Sequence, residues 1–531
     1  MEQEASQGLA DAIHLIDWLV IAGYFAVVIG IGIWVSRRTK SGEDLFLAGR
    51  ALTWGIIGFS LFASNISSTT LIGLTGAAYQ TGIAASAYEW MAGVPLILLA
   101  FIFAPVFLRS RITTIPEYLE LRYDRKSRLY FSAITIILTI VVDTAGGLYA
   151  GAVVVRVFLP DASIWMTCVA IGLFAGLYTA GGGLRAVVLT DVLQAVVLIV
   201  GSAAMTAILF SMNDWSWATV KESVPEGQLS IVQPRSDDIL PWPGLIFGVP
   251  LLGFWYWVTN QYIVQRVLGA KTLRDAQNGA ILAGFLKILP MFIMVLPGAM
   301  AIGILPNLEN ADKVFPTLVS EVLPVGLTGL VLAGLVAAIM SSVDSTLNSA
   351  STLIVHDFVR NDKRDLDPST ERKYGRITTI VLMLIAIAWA PLIAQAGGLW
   401  SYLQQAFSIL VPPVIAVFTL GALWRGATAT GAFTALLTGH AFALGTFILT
   451  QMGIWPLHFT VNIGVMTILS TVVLVVVSLM TDRKDTEQLD KTVWRRAWID
   501  ENAEDGATLS KLLIWSGLLV AAMTFIMIAF W

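Results

Sequence analysis

The chain has 531 residues, 56% of them hydrophobic and only 13% charged, well below the ~25% charged share of ordinary soluble proteins. Its formal net charge is −4, with no sustained run of Lys and Arg, which argues against a nucleic-acid partner, since displacing counterions from phosphates needs clustered cations. The single cysteine, Cys168, excludes an internal disulfide and a cysteine-based metal centre, and the four histidines (His14, His356, His440, His458) show no HExxH spacing.

A membrane-spanning helix needs about 20 mainly apolar residues, and that ruler predicts an all-α polytopic membrane protein of about 14 transmembrane helices. In chain order the segments are roughly 15–36, 53–77, 83–108, 129–157, 162–180, 186–211, 241–265, 278–304, 325–355, 375–396, 401–423, 428–450, 457–480 and 509–530. The first follows a polar, acidic stretch ending at Asp11, unlike the basic start of a cleaved signal peptide, and reads as a retained helix.

Basic residues concentrate in every second loop. They are Arg37, Arg38, Lys40 and Arg50; Arg109, Arg111, Arg122, Arg125, Lys126 and Arg128; Arg185; and Arg266, Lys271 and Arg274. The pattern continues with Arg360, Lys363, Arg364, Arg372, Lys373 and Arg376, then Arg425, then Arg483, Lys484, Arg495 and Arg496. The intervening loops are acidic or neutral; 212–240 carries five acids against two bases. Because short basic loops stay in the cytoplasm, a multi-pass protein of the plasma (inner) membrane is expected, with both termini on the extracytoplasmic side. The even number of spans agrees.

Within these spans the polar residues are the informative ones. The second, "GFSLFASNISSTTLIGLTGAAYQTG", contains "ASNISSTT", weak helix formers whose side chains compete for backbone hydrogen bonds. It is expected to break there, freeing carbonyls that coordinate a cation in discontinuous membrane helices. Glu89 in "SAYEWMAG" and Asp143 in "ILTIVVDTAGG" are buried carboxylates, and Lys287 in "AGFLKILPMF" is nearly the only base deep in a span. Pairing with Lys287 is the structural alternative for both. Asp191 in "RAVVLTDVLQAVV" sits a turn and a half from Arg185, its expected partner if its role is structural. "FWYWVTNQY" places aromatic rings where they form either an interfacial belt or a surface for a sugar ring. Last, "AAIMSSVDSTLNSAS" puts Ser341, Asp344, Ser345 and Asn348 three and four residues apart, on one expected helix face. An ionisable residue within a span marks a functional site by default.

Enzymatic signatures are missing: there is no GxSxG elbow, no GxxxxGK[ST] loop and no strand-borne GxGxxG, and the glycines of "GGGL" at 181–184 are weak evidence for phosphate binding. No polar stretch is long enough for an independent soluble domain. The expectation is therefore a carrier, not an enzyme, without cofactors other than co-transported ions.

The ordered motifs "DLFLAGR", "SLFASNIS", "YEW", "TIPEYLELRY", "GGLRAVVLTDVLQ", "NQYIVQR", "LKILPMFIMVLPG", "ADKVFPTLV" and "SSVDSTLNSASTL" give a resemblance over nearly the whole chain. It resembles the sodium/solute symporter family, in its sodium-glucose cotransporter branch. The resemblance implies a LeuT-like core of two inverted five-helix repeats, 53–211 and 241–423. Around it would lie a peripheral helix and loop at 1–52, an outer loop at 212–240 and three C-terminal helices in 424–531.

It further implies sodium-driven import of a neutral sugar or related polyol across the lipid bilayer by alternating access. One sodium would lie on the carbonyls of Ala63, Ile66 and Ala338 and the hydroxyls of Ser341 and Ser342. A second sodium site would involve Asp191, Ser341, Asp344 and Ser345. The sugar would lie among Asn65, Thr70, Glu89, Asp143, Tyr256, Trp257, Lys287 and Gln404, with Tyr256 as an inner gate. By the same resemblance, Thr70 stands where sugar transporters of the family carry Gln or His, and Asp143 where a bacterial galactose carrier has Asn. Alternatives at this stage are a sodium symporter for sialic acid, myo-inositol, an amino acid or a short organic acid, a proton-coupled sugar carrier using Asp191 or Asp344, and a sensor or channel. Neither the oligomeric state nor the particular sugar can be read from the chain.

Overall fold

The computed structural model describes residues 13–36, 48–159, 161–178, 184–237, 240–306, 308–359, 368–395, 398–482, 489–500 and 507–531. Among these residues there is no strand, and ten helical runs are long and apolar enough to cross a membrane. Each of the fourteen predicted segments falls on helix. The side chains of Arg37, Arg38, Lys40, Arg185, Arg360, Lys363, Arg364, Arg372, Arg483 and Lys484 lie outside the described residues, as do the glycines at 181–183.

The expected break in the second segment is present. Helix α1 (Trp54–Asn65) stops at Ile66, and α2 (Ser68–Thr81) restarts behind Ser67, whose extended backbone and side chain cap the new helix by accepting from Thr70 N at 3.4 Å. At the far end Gly82 has φ 77°, and a Cβ there would come within 2.0 Å of Gln228 O. Only glycine fits this turn.

The chain then runs through a π-helical turn at Leu99–Phe103 and, after a loop, enters α3 (Arg125–Leu138). A second π turn, Thr139–Thr144, leads into α4 (Ala145–Phe158), and α5 (Leu184–Met212) follows. In the next part of the chain α6 (Val249–Phe254) passes through a π turn, Trp255–Thr259, to a second break at Asn260 (φ −72°, ψ 122°). Asn260 caps α7 (Gln261–Leu268) by accepting from Tyr262 N at 3.3 Å. The sequence suggests one continuous segment over 241–265, so this break is a correction.

Helix α8 (Leu273–Leu286), a π turn at Met291–Val295, α9 (Leu327–Leu353) with a π turn at Ile354–Val359, and α10 (Leu399–Leu423) complete this part. The order of interruptions is thus the same twice: a broken helix, a helix with a π turn, and a long helix with a π turn. A π turn admits one extra residue and commonly lies at functional sites.

Contacts between distant loops sort the two ends of the bundle. At one end Trp54 N donates to Asp275 at 3.0 Å, Arg128 binds Asp357, the Arg122 guanidinium donates to Gly421 O, Trp424 O and Ala427 O, and Ser110 Oγ donates to Lys491 O. At the other, Ile83 N donates to Gln228 O, Ile231 N to Phe530 O, and Asp17 accepts from Gly326 N and Gly329 N. Every pair joins segments that the alternating loop charges assign to one side. Asp17 also places a carboxylate at the N-terminus of α9, which favours an anion.

Candidate functional site

Two adjoining cavities lie between the two broken helices, the smaller also bounded by α5 and α9 and the larger by α10 and the π turn before α4. The smaller is lined by Ala63 and Ser64 from the first break, Asp191 and Gln194 from α5, Tyr262 and Arg266 from α7, and Ala338, Ser341, Ser342 and Ser345 from α9. Helix α1 packs on both α5 and α8, and α5 packs on α9, which brings these groups together.

The break releases specific carbonyls. In a continuous helix Ser67 N would donate to Ala63 O and Thr70 N to Ile66 O. Here Ser67 N donates to Asn65 O at 2.8 Å, and Thr70 N to Ser67 Oγ. Tyr256 Oη donates to Ser64 O at 3.3 Å, across from the second broken helix.

Asp191 is 3% exposed and fully engaged. Its Oδ2 accepts from Arg266 Nη2 at 2.9 Å, Ser64 Oγ at 3.1 Å and Ser60 Oγ at 3.3 Å, while Oδ1 accepts from Ser341 Oγ at 3.0 Å. Among the described residues its cationic partner is Arg266; the Arg185 side chain lies outside them. Asp344 is buried on α9 but does not line this cavity. At ~100° per residue, Ser341, Ser345 and Ser342 span one arc of about 100°, and Asp344 falls roughly 60° outside it. Asn348 is exposed, so the expected single polar stripe is divided among different surroundings.

The larger cavity has a volume of about 90 Å³, below the ~300–1,000 Å³ of open small-molecule sites. All eight residues expected around a sugar line it: Asn65, Thr70, Glu89, Asp143, Tyr256, Trp257, Lys287 and Gln404. Lys287, with no solvent exposure, donates from Nζ to Glu89 Oε2 and Asn65 Oδ1, and its ammonium lies 5.6 Å from the centre of the Trp257 ring. Buried charges persist when paired and hydrogen-bonded. Asp143 is different, for its Oδ2 is buried without a hydrogen-bond partner.

Tyr262 lines both cavities. Its hydroxyl donates to Tyr256 Oη at 2.9 Å, and its carbonyl accepts from Arg266 Nη1. A continuous chain of contacts thus runs from Asp191 through Arg266 and Tyr262 to Tyr256. Residue-by-residue reading of the sequence did not single out Tyr262, Arg266, Ser60, Ser64, Tyr88 or Trp400. The four-residue spacing of Tyr262 and Arg266 was the available signal, since it places them on one helix face.

Comparison with known proteins agrees with this geometry. The sodium:solute symporter family profile matches residues 45–439. The sodium/glucose cotransporter 1 of Oryctolagus cuniculus is 34% identical, over 90% of this chain and 81% of its own length. A sodium/mannose cotransporter of Bos taurus is 35% identical, over 90% of this chain and 89% of its own. Among solved structures, a Na+-coupled sialic acid symporter in a substrate-bound outward-open state superposes with a TM-score of 0.75 at 22% identity, covering 89% of this chain and 99% of the other. The nucleobase-cation symporter Mhp1 gives 0.57 at 14% identity, covering 86% and 99%. The fold is therefore LeuT-like, as the paired interruptions suggest, and its relatives are transporters rather than enzymes. By profile and by identity along nearly its whole length, the chain belongs to the sodium:solute symporter family.

Proposed function

We propose that the protein imports a sugar, a hexose or related polyol, together with sodium by alternating access. The observation that carries the solute class is the closed ion pair of Lys287 with Glu89. A carboxylate solute needs an available cation, and the one ammonium in the larger cavity is already neutralised. Besides the carboxyl of Asp143, the cavity offers aromatic, amide and hydroxyl groups from Tyr256, Trp257, Trp400, Gln404, Asn65 and Thr70. Flat rings with a few hydrogen-bonding groups suit a polyhydroxylated ring. Relatives named for sodium/glucose and sodium/mannose cotransport support the same class.

Sodium would bind at the smaller cavity. The carbonyls of Ala63 and Ala338 and the hydroxyls of Ser341 and Ser342, residues that line this cavity, would supply oxygen ligands, with the carbonyl of Ile66, freed by the same break but off the cavity lining, as a fifth, the donor type that discontinuous membrane helices offer. Asp191, held by Arg266, brings no net charge by itself; a second sodium there would compete with the guanidinium. Each sodium contributes about 1.4 kcal/mol per tenfold gradient and about 2.3 kcal/mol per 100 mV. Binding of sodium would favour the state that also binds sugar, because a ligand shifts an equilibrium only by its differential affinity.

The test is uptake of radiolabelled glucose, galactose, mannose and myo-inositol into proteoliposomes. Accumulation that requires an inward sodium gradient is expected. Uptake that ignores sodium and collapses with a protonophore would contradict the reading in favour of a proton-coupled carrier.

A further inference from the structure

The larger cavity is lined by three charged residues, Glu89, Lys287 and Asp143. The first two cancel in their ion pair, so Asp143 leaves the cavity with an uncompensated carboxylate.

The hydrogen bonds around it show how it stays that way. Two phenols line the same cavity, Tyr256 and Tyr262, and a third, Tyr402, reaches the π turn that bears Asp143. Tyr256 Oη donates to Ser64 O, Tyr262 Oη to Tyr256 Oη, and Tyr402 Oη to Val141 O at 2.8 Å. Each hydroxyl proton is committed elsewhere, and Asp143 Oδ2 has no partner. The turn that carries Asp143 is pinned to its neighbours. This is the Thr139–Thr144 π turn, where Thr144 Oγ1 donates to Thr139 O at 2.7 Å and to Thr346 Oγ1 on α9 at 2.8 Å. Trp400, on the same cavity, has an indole N–H that likewise lacks a partner.

A carboxyl group left without a partner in a low-dielectric cavity favours a cationic donor, with which it pairs as the carboxylate, over a second carboxylate. We propose that Asp143 sets the solute class more narrowly: the cavity takes sugars bearing an ammonium group in preference to the parent hexoses, and rejects sugars bearing a carboxylate. The ammonium would donate to Asp143 while the ring hydroxyls meet Trp400, Gln404 and Asn65. This rests on the solute reading given above, and concerns which member of that class fits.

The experiment is competition against sodium-driven uptake of whichever radiolabelled hexose is transported best in proteoliposomes. Competitors are glucosamine, galactosamine, their parent hexoses, N-acetylglucosamine, glucuronate and galacturonate. For the wild type, each amino sugar should inhibit at about tenfold lower concentration than its parent, and each uronate at tenfold higher or more. Asp143→Asn should remove both gaps, read as ratios of inhibitory concentrations at whatever hexose uptake the variant retains, and Asp143→Glu should retain their direction. Equal inhibition by amino and parent sugars in the wild type would overturn the proposal, as would an Asp143→Asn variant that preserves the gaps. A variant that changes only the half-saturating sodium concentration would assign Asp143 to a cation and equally overturn it. Should Asp143→Asn fail to fold, the wild-type panel and Asp143→Glu still decide. If the wild type transports no sugar at all, the solute reading itself fails, an outcome distinct from equal inhibition.

Discussion

Lys287 has no contact with solvent, yet its ammonium has both Glu89 and Asn65. Removing one partner of such a pair leaves the other charge buried alone, at a cost of about 3–5 kcal/mol. Lys287→Met should therefore lower the thermal unfolding midpoint of the detergent-solubilised protein markedly, and Glu89→Gln added to it should restore much of the loss. A double variant no more stable than Lys287→Met would show that the pair is not what holds these side chains. This pairing was legible in the sequence because few charges lie deep in the spans. The partner of Asp191 was not, because Arg266 reads as one more loop base until the second break folds it back beneath Tyr262. Tyr262→Phe removes a single hydroxyl bond to Tyr256 from the chain linking the cavities. It should raise the half-saturating sugar concentration several-fold at low sodium and less at high sodium. A uniform rise at all sodium concentrations would mean that Tyr262 only shapes the solute cavity.

At the scale of elements, the two broken helices differ in how visible they are. "ASNISSTT" advertises its break through residues that cap and turn, whereas the second break rests on Asn260 alone, inside an aromatic run that reads as ordinary membrane helix. The π turns leave no compositional mark, although they hold Asp143, Tyr256 and Trp257. The division of the 341–348 stripe is of the same kind: periodicity gives a face, but tertiary packing decides which neighbour each residue meets. Ser67→Ala, which deletes the cap of α2, should cost about 1 kcal/mol and weaken sodium binding more than sugar binding. Equal loss of both would contradict a local role at the released carbonyls.

Another element-level device is the clasp between α3 and the end of α9. Arg128 donates to Asp357 Oδ1 at 3.0 and 2.5 Å and to Glu120 at 2.5 Å, closing one end of the bundle. Arg128→Gln should open that end. Because the sole cysteine, Cys168, is buried, a Ser345→Cys reporter can be read with a membrane-impermeant thiol reagent, and its labelling from the end bearing Arg128 should rise. Unchanged labelling from either side would mean the clasp does not control access.

For the molecule as a whole, the helical segments were legible in their apolar length, and ten helical runs among the described residues are long and apolar enough to cross a membrane, against the fourteen expected. Apolar length gives the segments, and loop charge gives their alternation. The contacts from Asp17 to Gly329 and from Trp54 to Asp275 join segments of the same assigned side. We expect both termini on the extracytoplasmic face, so a protease added outside intact cells should remove an epitope tag from either end; protection of both would invert the orientation.

The ion cavity and the solute cavity, joined through Tyr262, should be energetically coupled. Coupling between two sites must be reciprocal. The decisive measurement is equilibrium binding to the purified protein by calorimetry: sugar affinity with and without saturating sodium, and sodium affinity with and without saturating sugar. The account predicts that each ligand tightens the other by the same factor, about fivefold or more. Affinities that do not respond to the other ligand would contradict it.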